Sequence, residues 1–211
     1  MTITAADYIE LRKEVDSHGL LKYTPIYNLS KIIIIWTILG FLFSIVLYYK
    51  TMLVAVLMSF PIAFISMQMG FIGHDAGHSS LSNKKSINEF IGRITMSFFM
   101  GVSFNYWRQS HNLHHAEPNH EEIDPDINEG SPLSFIETKA KERKGLPKFI
   151  TRYQSFLLFP LSSFLIFTRK NESLKYILKN KKETLIDLPF ILLHLFFLLG
   201  CSLTILGYLL H

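Results

Sequence analysis

The sequence predicts an all-α integral membrane protein, and three observations lead to this fold class. Two uncharged apolar runs, residues 32–49 and 51–72, follow one another with a single lysine between them. At about 1.5 Å per helical residue the first run reaches about 27 Å, close to the thickness of a bilayer's hydrocarbon core. A third apolar run covers residues 185–210, and hydrophobic residues make up 49% of the chain. We therefore expect a transmembrane hairpin, histidine-bearing helices at the membrane surface, an interfacial helix and a third transmembrane helix.

The segment before the first apolar run is predicted to hold a surface helix. Thr4 and Asp7 have the spacing of a capping box and Gly19 is a suitable C-terminal stop, so the helix should cover residues 4–18. Pro25 is expected to break any continuation of this helix toward the membrane, and Lys31 to mark the interface. Several acidic residues lie in this segment, which argues against a cleavable signal peptide.

The predicted hairpin brings the chain back to the side of the membrane from which it left. Lysines and arginines flank the apolar runs on that side, and the positive-inside rule makes it cytosolic, with Lys50 outside. The formal net charge of +4 is spread over these flanks and forms no basic patch interleaved with aromatic residues, so no nucleic acid partner is expected. Cys201 is the single cysteine, which excludes an internal disulfide and a CxxC site.

Five of the histidines form two sets with the spacing of metal ligands, in the segments HDAGHSS and WRQSHNLHHAEPN. They are His74, His78, His111, His114 and His115. On helices each set would present its imidazoles to one side. A single catalytic zinc uses about three protein ligands, so five histidines favour a two-metal centre, although imidazole alone does not choose between iron, zinc and copper. The HExxH zinc-protease pattern is excluded because Asp75 follows the first histidine.

An amphipathic helix is predicted between the two histidine sets. Ser86 and Glu89 are expected to cap it, and it should continue unbroken into the second set. On the way it presents an aromatic stripe, which either packs in the core or lines an acyl pocket: Phe98, Phe104, Tyr106 and Trp107.

A polar loop is predicted at residues 118–126, directly after the second set. Asp124 or Asp126 could orient a ligand histidine through its second ring nitrogen, and a merely solvated acidic loop is an equal alternative. The groups that could support the ligands in this way are Asp75, Asn112, Asp124 and Asp126. No catalytic residue beyond the metal ligands and no substrate-binding residue is predicted.

The apolar stretch at residues 156–168 is flanked by basic residues on both sides and interrupted by Pro160, so it is predicted to be interfacial or re-entrant. The third spanning run contains His194, which we expect to hydrogen-bond to a neighbouring helix. The predicted regions of this single domain are a cytosolic N-terminal helix (1–31), the transmembrane hairpin (32–72), cytosolic histidine-box and interfacial helices (73–184) and the third transmembrane helix (185–211).

The two histidine segments together resemble a known family. The GHDAGH box at residues 73–78 after a hairpin, and WRQSHNLHHAEPN followed by DPDI at residues 124–127, are similar to the membrane fatty acid desaturases of the bacterial acyl-CoA or acyl-lipid type. The resemblance covers nearly the whole chain. It implies that the five histidines bind a non-haem di-iron centre, with O2 as co-substrate and a fatty acyl-CoA or acyl-lipid as substrate. It also implies a separate electron donor of the ferredoxin or cytochrome b5 type and a multi-pass location, in bacteria the cytoplasmic membrane, with the histidine boxes cytosolic.

The family pattern also contains a third histidine box of the (H/Q)xxHH type after a fourth transmembrane helix, and residues 1–211 contain neither. We therefore expect a C-terminally incomplete fragment that is inactive alone, with a degenerate protein or ligands from a second chain as alternatives. Two other functions remain open at this point. One is a di-iron membrane hydroxylase or ketolase acting on lipids, and the other is a non-catalytic membrane protein.

Overall fold

The computed structural model describes residues 4–127 and 133–209. Within these ranges every regular element is a helix and no strand occurs, which confirms the all-α fold class. The chain divides into two compact units, Met1–Ile91 and Gly92–His211.

The first unit begins with the predicted surface helix, α1 (Ala5–Ser17). Thr4 is its N-cap and forms both halves of the capping box with Asp7, as the sequence predicts. Gly19 follows with φ +71°, a left-handed conformation that glycine adopts without strain. The capping chemistry of this segment therefore sets both ends of the helix.

Two long helices form the hairpin of the first unit, α2 (Pro25–Tyr49) and α3 (Met52–Gly77), and both are long and apolar enough to cross a membrane. Few of their side chains are buried, so most of the apolar surface faces outward, as lipid would require. No helix runs on from α1 toward the membrane, because α1 ends at Ser17 and Pro25 occupies the first turn of α2. Proline is tolerated there, since the amide hydrogen that it lacks has no partner within a helix.

The predicted unbroken helix between the histidine sets is wrong. The chain instead forms α4 (Lys85–Gly92), a π-helix (Arg93–Met100) and, after a turn, α5 (Phe104–Ala116). Because α4 starts at Lys85, Ser86 lies inside the helix and cannot be its cap. The break falls at Gly101, which adopts φ +71°. Gly101 ends the π-helix and the Ser103 hydroxyl caps the first turn of α5, so the break has the local chemistry of a helix end followed by a helix start.

The rest of the second unit is a series of helices that ends in a long apolar one. They are α6 (Glu137–Glu142), α7 (Gly145–Arg152), α8 (Gln154–Ser162), α9 (Leu165–Lys179), α10 (Lys181–Thr184) and α11 (Leu188–Leu209).

The apolar stretch at residues 156–168 is divided between α8 and α9, so it is not one spanning helix, and its interfacial location stays a prediction. Among the described residues, α2 and α3 have the length and hydropathy of a membrane span. For α11 an apolar stretch is described over Leu188–Leu203, and the third crossing stays a prediction. The last residues of that predicted crossing, 210 and 211, lie outside the described residues.

His194 on α11 makes the hydrogen bonds expected of it. Its Nδ1 donates to the carbonyl oxygen of Phe98 at 2.8 Å, and its Nε2 lies 2.9 Å from the Nζ of Lys170. A carbonyl oxygen can only accept, so Nδ1 carries the proton and Nε2 accepts from the ammonium group. The ring fills the space beside Gly101, where a Cβ atom would lie 2.4 Å from Nε2.

Replacing Gly101 by alanine is expected to destabilise the protein more than the matched change Gly145→Ala. Both glycines have positive φ, so each alanine should lose about 1 to 2 kcal/mol from the left-handed conformation. A Cβ on Gly145 would meet no atom within 4 Å. One on Gly101 would displace the His194 ring, which is held by two hydrogen bonds. Denaturant unfolding of the two variants in the same detergent measures the difference. Equal losses would show that the His194 ring moves aside freely.

Candidate metal centre

The first histidine set lies at the C-terminal end of α3. His74 is in the last turn and His78 is the C-cap, and their rings meet edge to face with centroids 4.6 Å apart. The spacing of four thus places both imidazoles on one side, as predicted. Asp75 lies between Lys31 and His74, with its carboxylate oxygens 3.5 Å from the Nζ of Lys31 and 3.4 Å from the Nδ1 of His74.

The second set lies on α5, where His111 and His115 converge. Their Nε2 atoms are 3.1 Å apart, and the indole of Trp107 stacks on the His111 ring with centroids 4.5 Å apart. Two nitrogens bound to one ion at about 2.1 Å and at a right angle would lie about 3 Å apart. The separation of these nitrogens therefore fits two ligands of a single metal ion.

His114 is oriented by a buried carboxylate. Its Nδ1 lies 2.9 and 3.0 Å from the two oxygens of Asp124, whose side chain is fully buried. Asp124 also accepts hydrogen bonds from the amides of Asn119 and Asp126, at 2.8 and 2.9 Å. These donors occupy the carboxylate, so it holds the ring and leaves the Nε2 of His114 as the atom available to a metal. The alternative of a solvated loop does not hold for Asp124.

The charges of this pair agree with its geometry. The pKa of His114 is raised, mainly by its hydrogen bond to Asp124, while partial burial of the ring opposes the shift. Burial acts to raise the pKa of Asp124, but the donors from Asp126, His114 and Asn119 outweigh it and hold the pKa below its usual value. Asp124 is therefore a charged acceptor, and His114 keeps its proton on Nδ1.

Asp126 makes a different contact. Its Oδ1 accepts from the Nη2 of Arg169 at 2.6 Å, and its Oδ2 is 3.6 Å from the Nδ1 of His114, too far for a hydrogen bond. Arg169 also donates to Glu172 at 3.2 Å, and Glu172 accepts from the hydroxyl of Tyr106 at 2.5 Å. This network ties the acidic loop to α9 and to α5. Arg169 and Glu172 could not be recognised from the sequence, since only tertiary contacts distinguish them from the other charged residues of their segment.

The structure decides the role of the aromatic stripe only in part. Phe104 is fully buried against Gly92 and is a core residue. Tyr106 and Trp107 instead line a small cavity next to His111. The complete lining is Tyr106, Trp107, Ser110, His111, Asp126 and Arg169. Because half of these side chains are strongly polar, the cavity suits water or a small polar group better than an acyl chain. Asn112 is exposed on α5, and its supporting role stays a prediction.

Comparison with known proteins decides the family. The profile described as "Fatty acid desaturase" matches residues 50–211. The chain belongs to the fatty acid desaturase family. The matched range contains both histidine sets and the acidic loop, so the features that suggested the resemblance lie inside the family region. No solved structure matches this desaturase-family chain.

Named desaturases from yeast and plants are similar to it. A Delta 8-(E)-sphingolipid desaturase of Kluyveromyces lactis is 29% identical over 74% of this chain and 26% of its own length. An Acyl-lipid (9-3)-desaturase of Borago officinalis is 30% identical over 55% of the chain and 28% of its own length. A Delta(8)-fatty-acid desaturase of the same plant is 28% identical over 75% of the chain and 38% of its own length. The chain thus spans only about a quarter to two fifths of these relatives.

Proposed function

We propose that these residues belong to a membrane desaturase that introduces a double bond into a fatty acyl chain, with O2 as the oxidant. In such a reaction the substrate loses two hydrogens, and these, together with two electrons from a donor and two protons, reduce O2 to two waters. The donor is a separate protein of the ferredoxin or cytochrome b5 type. The histidine boxes would face the cytosol, in bacteria at the cytoplasmic membrane.

The observation that carries the proposal is the α5 histidine set within a family-matched chain. The converging nitrogens of His111 and His115 and the orientation of His114 by buried Asp124 are the arrangement that a histidine-ligated metal requires. The donor set is imidazole, with carboxylates placed to orient it, which suits iron. In this proposal the iron ligands are the five box histidines: His74, His78, His111, His114 and His115.

When bound, a di-iron centre would supply the oxidising power needed to remove hydrogen from an unactivated methylene. The chain's own residues would bind the metal, orient the ligand rings and cover them. Asp124 holds the His114 ring, and Asp75 lies close enough to His74 to orient it in the same way. The Trp107 indole stacks against His111 and covers one face of that ring. Such fixed neighbours keep ligands in place without a reorganisation at the moment of reaction.

For the substrate, the proposal is more specific than the family assignment. The relatives include an acyl-lipid desaturase and a sphingolipid desaturase. We therefore favour a chain carried by a membrane lipid over acyl-CoA. The apolar outer surface of α2 and α3 is consistent with a protein that meets its substrate in the bilayer.

The test uses the full natural reading frame that contains these residues, purified in nanodiscs. We expect about two irons per chain and, with reductant, donor and O2, conversion of a saturated lipid-linked chain to the unsaturated one. Mass spectrometry of the product distinguishes a double bond from a hydroxyl group. A hydroxylated product would replace this function by a di-iron hydroxylase. Absence of stoichiometric iron would leave a non-catalytic membrane protein.

A further inference from the structure

The first turn of α5 is held almost entirely by residues from elsewhere in the chain. A helix leaves its first amides without partners inside the helix. Here the amide of Ser103 donates to the hydroxyl of Ser173 at 2.8 Å, and that of Phe104 donates to the hydroxyl of Ser97 at 2.9 Å. The amide of Asn105 donates to Asp187 at 3.0 Å. Only one of the four, that of Tyr106, is satisfied locally, by the Ser103 hydroxyl at 3.2 Å.

Asp187 is the centre of this arrangement. Its side chain is fully buried and accepts from the Ser103 hydroxyl at 2.5 Å, the Asn105 amide and the Nε of Arg93 at 3.0 Å. The Arg93 side chain is itself almost completely buried. A buried carboxylate is tolerated only when a counter-charge and hydrogen-bond donors surround it, and here both are present. A negative charge is also favourable at the positive end of a helix.

The histidines lie on the same rigid element, two to three turns further along. From Ser103 to His111 the helix rises about 12 Å. A ligand side chain has to stay within about 0.5 Å of its productive position, so a small rotation or slide of α5 at its first turn would move the imidazoles out of register. The Asn105 side chain adds a second tether by donating to the carbonyl of Glu183 at 2.6 Å.

We propose that Asp187 is a positioning residue that sets the rotation and register of α5 and thereby aims the histidines of its last two turns. The inference rests on the proposed function, because it assumes that these histidines bind a metal. It assigns a role to Asp187 and Arg93, two charged residues that interrupt apolar segments of the sequence. Arg93 supplies the counter-charge, and Ser103 transmits the contact into the helix.

The experiment compares Asp187→Asn with the wild type as the whole protein in nanodiscs. The amide side chain keeps the size of the carboxylate but offers a single acceptor oxygen, so at least one donor loses its partner. Hydrogen exchange of the amides of residues 103–106 should become about tenfold faster, as for one lost charge-assisted hydrogen bond. Titration with Co²⁺ alone should show affinity weakened by about 10- to 100-fold, with a changed visible spectrum. Unchanged exchange together with an unchanged spectrum would overturn the proposal.

The matched control is Gln154→Ala. Gln154 makes two hydrogen bonds with the backbone of Ser134, both at 3.0 Å, in the same unit but without any bond to α5. It should lower the melting temperature yet leave the Co²⁺ spectrum as in the wild type. If it changes metal binding as much as Asp187→Asn at a similar loss of stability, Asp187 is merely structural and the proposal is wrong.

A second variant covers the case in which Asp187→Asn does not fold. Ser103→Ala leaves the buried ion pair and the bond from the Asn105 amide to Asp187 intact. It removes the hydroxyl that donates to Asp187 and accepts from the Tyr106 amide, so exchange in this variant is compared at residues 103–105. Faster hydrogen exchange and altered Co²⁺ binding, both smaller than in Asp187→Asn, support the proposal. If neither changes, the proposal is contradicted. Failure of the proposed function looks different: the wild type itself would bind no Co²⁺, while faster exchange in the variants would still show that Asp187 holds α5.

Discussion

Replacing His114 by alanine is expected to leave the purified protein without stoichiometric iron. The change removes one of the proposed imidazole ligands and leaves the buried carboxylate of Asp124 without its ring partner, so one of the contacts between the acidic loop and α5 is lost. Iron content per chain by elemental analysis measures the effect, and the activity of the full reading frame should fall to background.

The control for this change is His18→Ala. His18 is an exposed histidine that ends α1, outside both histidine sets. It should retain the iron content of the wild type, which shows that the loss is specific to the box. Full iron content in the His114 variant would remove it from the ligand set and with it the main support for the metal centre on α5.

Replacing Asp124 by asparagine is expected to have the second largest effect. The carboxylate accepts from the His114 ring and from two backbone amides, and an amide side chain cannot satisfy all three. We expect metal affinity to fall by about 10- to 100-fold, because the His114 ring is no longer fixed in one tautomer. The metal-free protein should lose about 1 to 3 kcal/mol of stability for the unpaired buried donor.

Asp126→Asn is the useful comparison, since Asp126 belongs to the same loop but is 40% exposed and lies 3.6 Å from the Nδ1 of His114, beyond hydrogen-bond distance. Its neutralisation should weaken the contact with Arg169 and change metal affinity much less. Co²⁺ titration and chemical unfolding of both variants give the two quantities. A larger loss of affinity for Asp126 than for Asp124 would reverse the assignment of the orienting carboxylate.

Sequence alone predicted the parts of the fold that depend on composition and short spacing. The hairpin follows from two uncharged runs, and the capping box of α1 follows from Thr4 and Asp7. The break at Gly101 was predicted as continuous helix, although a glycine followed two residues later by a serine is a local signal for one helix ending and another beginning. Short spacing likewise predicted which imidazoles share a face, as His111 and His115 do.

The choice between Asp124 and Asp126 needed the structure, because both lie in one acidic loop and only burial separates them. Asp187 and Arg93 carried a sequence signal that was not used. Each is a lone charge in an otherwise apolar segment, and such charges are stable when they pair. The signal shows that a partner must exist, but the identity of that partner depends on tertiary packing.

The contact between Ser103 and Asp187 joins residues 84 positions apart, which has a consequence for synthesis. At about 5 to 20 residues per second, a ribosome would need roughly 4 to 17 s to add the intervening chain. During that interval the nascent histidine helix has no carboxylate at its first turn. Its imidazoles would reach their final orientation only after the α10–α11 connection has been translated, so metal insertion is expected to follow late in translation or after it.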